Sequence, residues 1–125
     1  MPLVRISLKQ KNDEQVRAIS EAVHSAMVET VGIPADDKFQ VITEHEGTRL
    51  IYDRSYLGID RSDDAIFVQI TLNGGRTTQQ KRDLYARIAE KLSLLGIRPQ
   101  DVLVNLVEVA AENWSFGNGE AQYAS

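Results

Sequence analysis

Residues 3–8 read Leu-Val-Arg-Ile-Ser-Leu, and residues 67–72 read Phe-Val-Gln-Ile-Thr-Leu. In both stretches apolar and polar side chains alternate, which is typical of a strand that buries one face. The two stretches belong to a longer repeat with an offset of 64 residues, at which Val4 falls on Val68. A gapless internal repeat indicates two equivalent supersecondary units, so positions where the copies differ are candidates for a special task.

Each copy of the repeat, about 2–46 and 66–110, has the pattern of a strand, a helix and a second strand. Apolar residues recur at helical spacing over 13–31 and 78–95, and a capping-box sequence precedes each run. Both runs end at a Gly-Ile pair with a proline close behind, which is typical of a helix that stops at a left-handed glycine. The sequence therefore predicts two helices with similar ends.

The second strands are predicted at about 38–44 and 102–108. Because a crossover that contains a helix joins parallel strands with a right-handed connection, each copy should form a β-α-β unit. We therefore expect an α/β (α+β) fold in which duplicated β-α-β units form a four-stranded sheet with two helices on one face. The turn-rich stretch 47–64 between the copies is expected to be a hairpin or an ordered loop.

The composition is that of one globular domain over residues 1–125, with 42% hydrophobic and 26% charged residues. No apolar run approaches the ~20 residues that a membrane helix needs, so a membrane is not expected as a partner. Arg5 and Lys9 interrupt the apolar positions near the start, which does not fit a signal peptide. We therefore expect a cytoplasmic protein.

Charge and missing residue types argue against several functions. The net charge is −4 and the basic residues are scattered, which argues against nucleic acid as a partner. The chain has no cysteine and only two histidines, so neither thiol catalysis nor a metal or other cofactor is expected. His24 lies in the first predicted helix, where a structural histidine is the simpler interpretation. His45 lies in an acidic stretch that is more typical of a solvated strand end than of a cation site.

The other face of the predicted sheet carries polar side chains, namely Arg5, Ser7, Gln69 and Thr71. This face is too polar for a dry core and too extensive to be left open without a reason. We infer an oligomer in which this face lines a partly wet interior. An ordinary solvated sheet face is the alternative.

The two copies differ at their first residue, where Pro2 corresponds to Ile66. If the initiator methionine is removed, Pro2 becomes an N-terminal secondary amine, which can act as a nucleophile or a base. A strand directly behind this amine would hold it rigidly. Because only the first copy can supply the amine, we expect one such site in each subunit, with Pro2 as the leading catalytic candidate.

Two charged residues are further candidates. Residues 73–77, Asn-Gly-Gly-Arg-Thr, leave a strand and enter a helix, so their amides and the Arg76 guanidinium could bind a carboxylate or phosphate. A plain turn with a surface arginine is the alternative. Asp37 precedes a strand and could activate water. Asp101 occupies the matching position in the second copy, which favours a loop-capping role for at least one of the two.

The tail from residue 112 to residue 125 contains Trp114 and Phe116 beside two glycines. Large aromatic side chains beyond the last core strand suit a segment that folds over something. Sealing the core or forming a subunit contact is one interpretation, and contacting a ligand is the other.

At these residues the chain resembles the tautomerase superfamily, and more specifically the malonate semialdehyde decarboxylases and their relatives. The likeness runs nearly from end to end. The stretches that carry it are Pro2-Leu3, residues 24–29 (His-Ser-Ala-Met-Val-Glu), residues 32–37 (Gly-Ile-Pro-Ala-Asp-Asp), Leu57-Gly58, residues 61–63 (Arg-Ser-Asp) and residues 114–117 (Trp-Ser-Phe-Gly).

The resemblance implies a role for each candidate residue. Pro2 would be the catalytic amine, Asp37 would activate or orient water, and Arg76 would bind the substrate carboxylate. Trp114 and Phe116 would form the walls of the pocket. Such proteins are homotrimers, which agrees with the polar sheet face.

The resemblance also implies chemistry on a small carboxylate or oxo acid, with keto-enol tautomerase and hydratase or decarboxylase reactions. The decarboxylase pattern has two arginines in the loop where this chain has Arg76 alone. We therefore expect weak or absent decarboxylation and an intact anion site. The alternative is a noncatalytic oligomeric module of the same fold that binds a small carboxylate.

Overall fold

The computed structural model describes residues 2–125, which form a four-stranded sheet and two helices. The strands are β1 (Leu3–Lys9), β2 (Gln40–His45), β3 (Ile66–Asn73) and β4 (Val102–Val109), and the helices are α1 (Asp13–Val31) and α2 (Thr78–Ser93). Short 3₁₀ turns lie at Tyr56–Gly58, Pro99–Asp101 and Ala111–Asn113. No helix within the described residues is long and apolar enough to cross a bilayer.

The strand order in the sheet is β2-β1-β3-β4. β1 is parallel to β2 and β3 is parallel to β4, so the predicted duplicated β-α-β fold is confirmed. The two copies meet through β1 and β3, which are antiparallel with Leu3 opposite Thr71. This pairing puts the start of β1 beside the end of β3. Pro2 and the loop that follows Asn73 therefore share one edge of the sheet, called the Pro2 edge below.

The core lies between the sheet and the two helices. Alternate residues of β1 and β3 point into it, as the two strand sequences predict, and each of these side chains is at most 2% exposed. The helices add their apolar stripes from the other side. The strand residues are Val4, Ile6, Leu8, Ile66, Val68, Ile70 and Leu72, and the helix residues include Ile19, Val23, Met27, Leu84, Ile88 and Leu92.

Local hydrogen bonds explain where the helices begin and end. Asn12 with Gln15 and Thr77 with Gln80 form the two predicted capping boxes. α1 ends before Gly32, whose φ of 72° is left-handed. α2 ends at Ser93, two residues before the predicted end, because the amides of Leu95 and Gly96 bond three residues back and tighten the last turn.

The stretch 47–64 takes the ordered-loop form of the two forms expected for it. Asp101 fastens the end of this loop, since its carboxylate oxygens accept hydrogen bonds from the amide and the hydroxyl of Ser62 at 2.7 and 2.6 Å. The Arg61 guanidinium donates to backbone carbonyls of the same loop. Asp101 therefore caps a loop, which confirms the structural role predicted for one of the paired aspartates.

Candidate active site

Pro2 is buried at the head of β1 and lines a cavity of about 230 Å³, called the Pro2 cavity. The backbone just behind it is held by the sheet, because the Val4 amide donates to the Phe39 carbonyl at 3.0 Å. The cavity is lined by Pro2, Leu3, Phe39, Trp114, Ser115 and Phe116. The tail thus folds back over the Pro2 edge. This position is required if its aromatic residues contact a ligand.

Aromatic rings form most of the cavity wall. Trp114 stacks on Phe116 with ring centroids 5.3 Å apart and planes inclined by 13°. Phe116 also lies 6.2 Å from Phe39 and 5.0 Å from Tyr123, again between centroids. Phe39 is 48% exposed, although it precedes a strand that packs on the core. The wall is therefore apolar, and polar groups must come from the loops at its margin.

Asn73 connects the tail to the sheet. The Trp114 indole Nε1 donates to the Asn73 side-chain oxygen at 2.7 Å. Farther along the tail, the Phe116 amide donates to the side chain of Gln122 at 2.9 Å, and Gln122 donates back to the Gly117 carbonyl at 2.8 Å. These hydrogen bonds hold the aromatic wall in place where regular secondary structure has ended.

Arg76 lies in the loop that follows β3, at the Pro2 edge. Its Nη1 donates to the Asn73 carbonyl at 3.1 Å, and its Nη2 donates to the Val31 carbonyl at the end of α1 at 3.2 Å. A guanidinium has five N–H donors, so these two bonds leave donors for a carboxylate. Val31 is the last residue of α1, and the C-terminal end of a helix carries negative partial charge. This end therefore favours the positive charge of Arg76.

The neighbouring glycines already meet a carboxylate of the chain itself. Glu108 accepts from Lys81 Nζ at 2.7 Å, and a Cβ placed on Gly74 would lie 3.1 Å from the Glu108 carboxylate. The hydrogen bond and the charge of Lys81 hold the pKa of Glu108 below its ordinary value, and the Gly75 amide and the Arg76 charge act in the same direction. The loop predicted to bind an anion therefore already contacts the Glu108 carboxylate, which is paired with Lys81.

Asp37 is buried in the turn before β2, and its amide donates to the Pro34 carbonyl at 3.0 Å. His24 supports this turn from α1, since its Nε2 donates to the Ala35 carbonyl at 2.8 Å. His24 is 4% exposed, which confirms its interpretation as a structural histidine. Asp37 comes two residues before Phe39, so its turn leads directly into the cavity wall.

The structure thus brings Pro2, Trp114 and Phe116 together in one cavity. Asp37 and Arg76 lie on loops that flank the Pro2 edge, and neither is among the residues that line the cavity. Antiparallel pairing of β1 with β3 puts the Arg76 loop at the Pro2 edge within one chain. Among the described residues, no group of His, Asp and Glu side chains is arranged to hold a metal ion.

Three residues at the site were missed at the level of sequence: Phe39, Asn73 and Glu108. Phe39 could have been found, because it is a large aromatic residue just before β2. The alternation of the strand puts its side chain on the sheet face opposite the helices. Asn73 lies in the stretch 73–77, but its type alone says nothing about a partner 41 residues away. Glu108 depends on the pairing of β3 with β4, which no local pattern reveals.

Comparisons with known proteins lead to one family. A tautomerase enzyme family model matches residues 37–117, and a second tautomerase enzyme model matches residues 2–52. The probable tautomerase YusQ of Bacillus subtilis (strain 168) is 42% identical over 124 residues, which is 98% of each chain.

Solved structures with the same fold lead to the same family. FG41 malonate semialdehyde decarboxylase inhibited by 3-bromopropiolate superimposes with a TM-score of 0.92 at 40% identity, covering 97% of this chain and 93% of that one. A second malonate semialdehyde decarboxylase, studied for its decarboxylase and hydratase activities, has a TM-score of 0.90 at 32% identity, with 97% and 95% covered. Because these similarities span both β-α-β copies and the tail that closes the Pro2 cavity, the chain belongs to the tautomerase family.

Proposed function

We propose that this protein is an enzyme that acts on small oxo acids with the α-amine of Pro2 as its catalytic group. The observation that carries the proposal is the position of Pro2, which is buried at the head of a core strand and lines a cavity with Trp114 and Phe116. The amine exists only after Met1 is removed. A rigid amine in an apolar cavity suits proton transfer or covalent catalysis, because water competes little there.

The charged residues at the Pro2 edge have complementary roles in this proposal. The free donors of Arg76 bind the substrate carboxylate, which leaves the reacting carbons over Pro2. As an ammonium, Pro2 polarises a carbonyl or donates a proton, and Asp37 directs water to the neighbouring carbon. As a free amine, Pro2 shuttles a proton between an enol and its ketone, or adds to an aldehyde and, with a proton, loses water to give an iminium.

The reaction class is inferred from the number of arginines in the loop after β3. The decarboxylase pattern has two arginines in this loop, whereas this chain has Arg76 alone and its Lys81 is paired with Glu108. We therefore propose tautomerase and hydratase chemistry as the main activities, with weak decarboxylation of malonate semialdehyde. Both kinds of reaction are named among similar proteins, which include a probable tautomerase and a malonate semialdehyde decarboxylase.

A homotrimer in the cytoplasm is part of the proposal. Fused 4-OT, which shares the fold with a TM-score of 0.79 at 22% identity, has been solved as a symmetric trimer. On the sheet face opposite the helices, Val41, Leu103 and Val107 are each between 38% and 44% exposed, beside polar Arg5 and Gln69. A mixed face of this kind suits an interface between copies better than a dry core.

The proposal is tested with the purified protein and 3-bromopropiolate, the inhibitor of the FG41 enzyme. The intact mass of protein isolated from its native host is expected to lack Met1, and 3-bromopropiolate is expected to inhibit turnover of an enol acid such as phenylenolpyruvate. A retained Met1 would make the Pro2 nitrogen an amide and would contradict the proposal. Binding of small carboxylates without any turnover would instead support a noncatalytic module.

A further inference from the structure

We propose that Asn73 is a positioning residue of the Pro2 cavity, because its side chain sets the orientation of Trp114 while its carbonyl holds Arg76. The inference rests on the proposed function, since Trp114 and Arg76 contact a substrate only if the protein is an oxo-acid enzyme. Asn73 itself acts through these two residues.

The anchor side of this arrangement is rigid. Asn73 is the last residue of β3 and pairs with Val109 of β4, and the next amide, that of Gly74, donates to the Val109 carbonyl at 3.2 Å. β3 is an inner strand with a neighbour on each side. The Asn73 side-chain oxygen therefore starts from a backbone that the sheet holds in place.

The tail side is not held by the sheet. Trp114 follows the 3₁₀ turn Ala111–Asn113, and its ring stacks nearly parallel on Phe116. Stacking restrains the separation and tilt of two rings, but a half-turn about the Trp114 Cβ–Cγ bond keeps the ring plane and reverses the edge that carries the N–H. The indole has a single N–H donor, and the 2.7 Å bond from that donor to Asn73 removes the remaining freedom. The bond thus decides which edge of the indole faces Pro2.

Asn73 also connects the cavity wall with the proposed carboxylate site. Its carbonyl accepts from Arg76 Nη1 at 3.1 Å, so one residue has contacts with both Trp114 and Arg76. A side-chain substitution breaks the contact with Trp114 and leaves the carbonyl in place. The effect of the Trp114 contact can therefore be measured separately from that of Arg76.

The first test observes the hydrogen bond directly. Trp114 is the only tryptophan of the chain, so ¹⁵N-labelled protein has one indole N–H resonance. We expect Asn73→Leu to shift this resonance upfield and to speed its exchange with solvent, and Asn73→Asp, which keeps an acceptor, to restore slow exchange. Gln79→Leu removes an amide hydrogen bond on exposed α2 and should leave the resonance unchanged. An unchanged resonance in Asn73→Leu would overturn the proposal.

The second test measures the consequence for turnover in a double-mutant cycle with Trp114→Phe, which keeps a ring and removes the N–H donor. We expect Asn73→Leu to lower kcat/KM for the enol acid by about threefold to tenfold, the size of effect that one hydrogen bond produces. In the Trp114→Phe background the same substitution should have almost no further effect. Additive losses, or no loss in the single variant, would overturn the positioning role.

The two tests also separate this inference from the proposed function. If the wild type turns over no oxo acid, the proposed function fails and with it the catalytic consequence of Asn73. The indole resonance would still decide whether Asn73 holds Trp114.

Discussion

Arg76 uses one guanidinium for two purposes. Two of its N–H groups hold the Asn73 and Val31 carbonyls, which joins the loop after β3 to the end of α1, and the remaining donors are proposed to bind substrate. A lysine could not do both, because an ammonium is a compact charge without the planar fork of arginine. If the proposed site is correct, Arg76 couples the folding of the loop to the binding of a carboxylate.

Arg76→Leu is expected to raise KM for the enol acid by about tenfold to a hundredfold, since a hydrogen bond between charged groups is lost. The variant should also melt at a lower temperature, because two carbonyls lose their donor. Arg87→Leu is the matched control, since it removes an arginine that pairs with Glu29 on the surface at 3.0 Å. Steady-state kinetics and thermal unfolding measure both effects, and an unchanged KM in Arg76→Leu would refute the carboxylate site.

Glu108 supplies a pH dependence whose sign follows from its lowered pKa. The ordinary value is 4.5 and the folded value is lower, mainly through the Lys81 hydrogen bond. The ionised carboxylate therefore contributes stability that is present above about pH 4.5 and is lost as the pH falls through the folded pKa.

Lys81→Met is expected to move the pKa of Glu108 up toward 4.5, which a carboxyl ¹³C NMR titration measures directly. The difference in unfolding free energy between wild type and Lys81→Met should shrink as the solution is acidified. Lys38→Met, which breaks a surface pair with Glu21 at 3.1 Å, is the control and should leave the Glu108 titration unchanged. Identical Glu108 titrations in wild type and Lys81→Met would contradict this account.

The two helices are followed by similar glycines, so the same substitution can be tested at two places in one chain. Gly32 and Gly96 follow α1 and α2 with φ of 72° and 86°, and a Cβ on either would meet nothing within 4 Å. A substitution at either glycine is therefore opposed by backbone strain alone.

We expect Gly32→Ala and Gly96→Ala each to lower the free energy of unfolding by about 1 kcal/mol, the cost of a left-handed backbone for an L-residue. Gly47→Ala is the control, because Gly47 lacks a positive φ and its added Cβ would make an ordinary contact at 3.8 Å with Lys9. Urea unfolding compares the three variants. Full stability in both helix-end variants would show that these glycines are not needed for the helix ends.

The elements also show what local sequence can predict. The start of α1 at Asp13 is predictable because its cap is formed by Asn12 and Gln15, which interact within one turn. The β-α-β units are predictable because the sequence repeats. The bond between Asn73 and Trp114 joins the end of β3 to the tail that follows β4, so it depends on the pairing of these two strands. The sequence does not state that β1 pairs antiparallel with β3, so it could not say that the Arg76 loop adjoins Pro2.

At the scale of the whole molecule, one sheet face is covered by helices and the other is open. Exposed Val41, Leu103 and Val107 add apolar surface to the polar residues seen in the sequence, so the open face is more apolar than Arg5, Ser7, Gln69 and Thr71 alone indicated. A face of this mixed composition is typical of a surface that is buried between subunits.

We expect sedimentation equilibrium to give about three times the 14.0 kDa chain mass for the wild type. Leu103→Asp, which places a charge on the open face, should shift the protein toward single chains. Leu94→Asp changes a residue that is 82% exposed at the end of α2, away from that face, and should stay trimeric. A wild type that sediments as single chains, or a trimeric Leu103→Asp, would contradict the proposed interface.

The central claim is that the amine of Pro2 performs the chemistry, and the most direct test is kcat/KM for ketonisation of phenylenolpyruvate by wild type and Pro2→Ala. Both proteins are first shown by mass to lack Met1, so the comparison is between a secondary and a primary amine at the same place. We expect Pro2→Ala to lose at least about a hundredfold in kcat/KM, the lower end of what a positioned acid or base contributes. Equal values for the two proteins would contradict catalysis by Pro2.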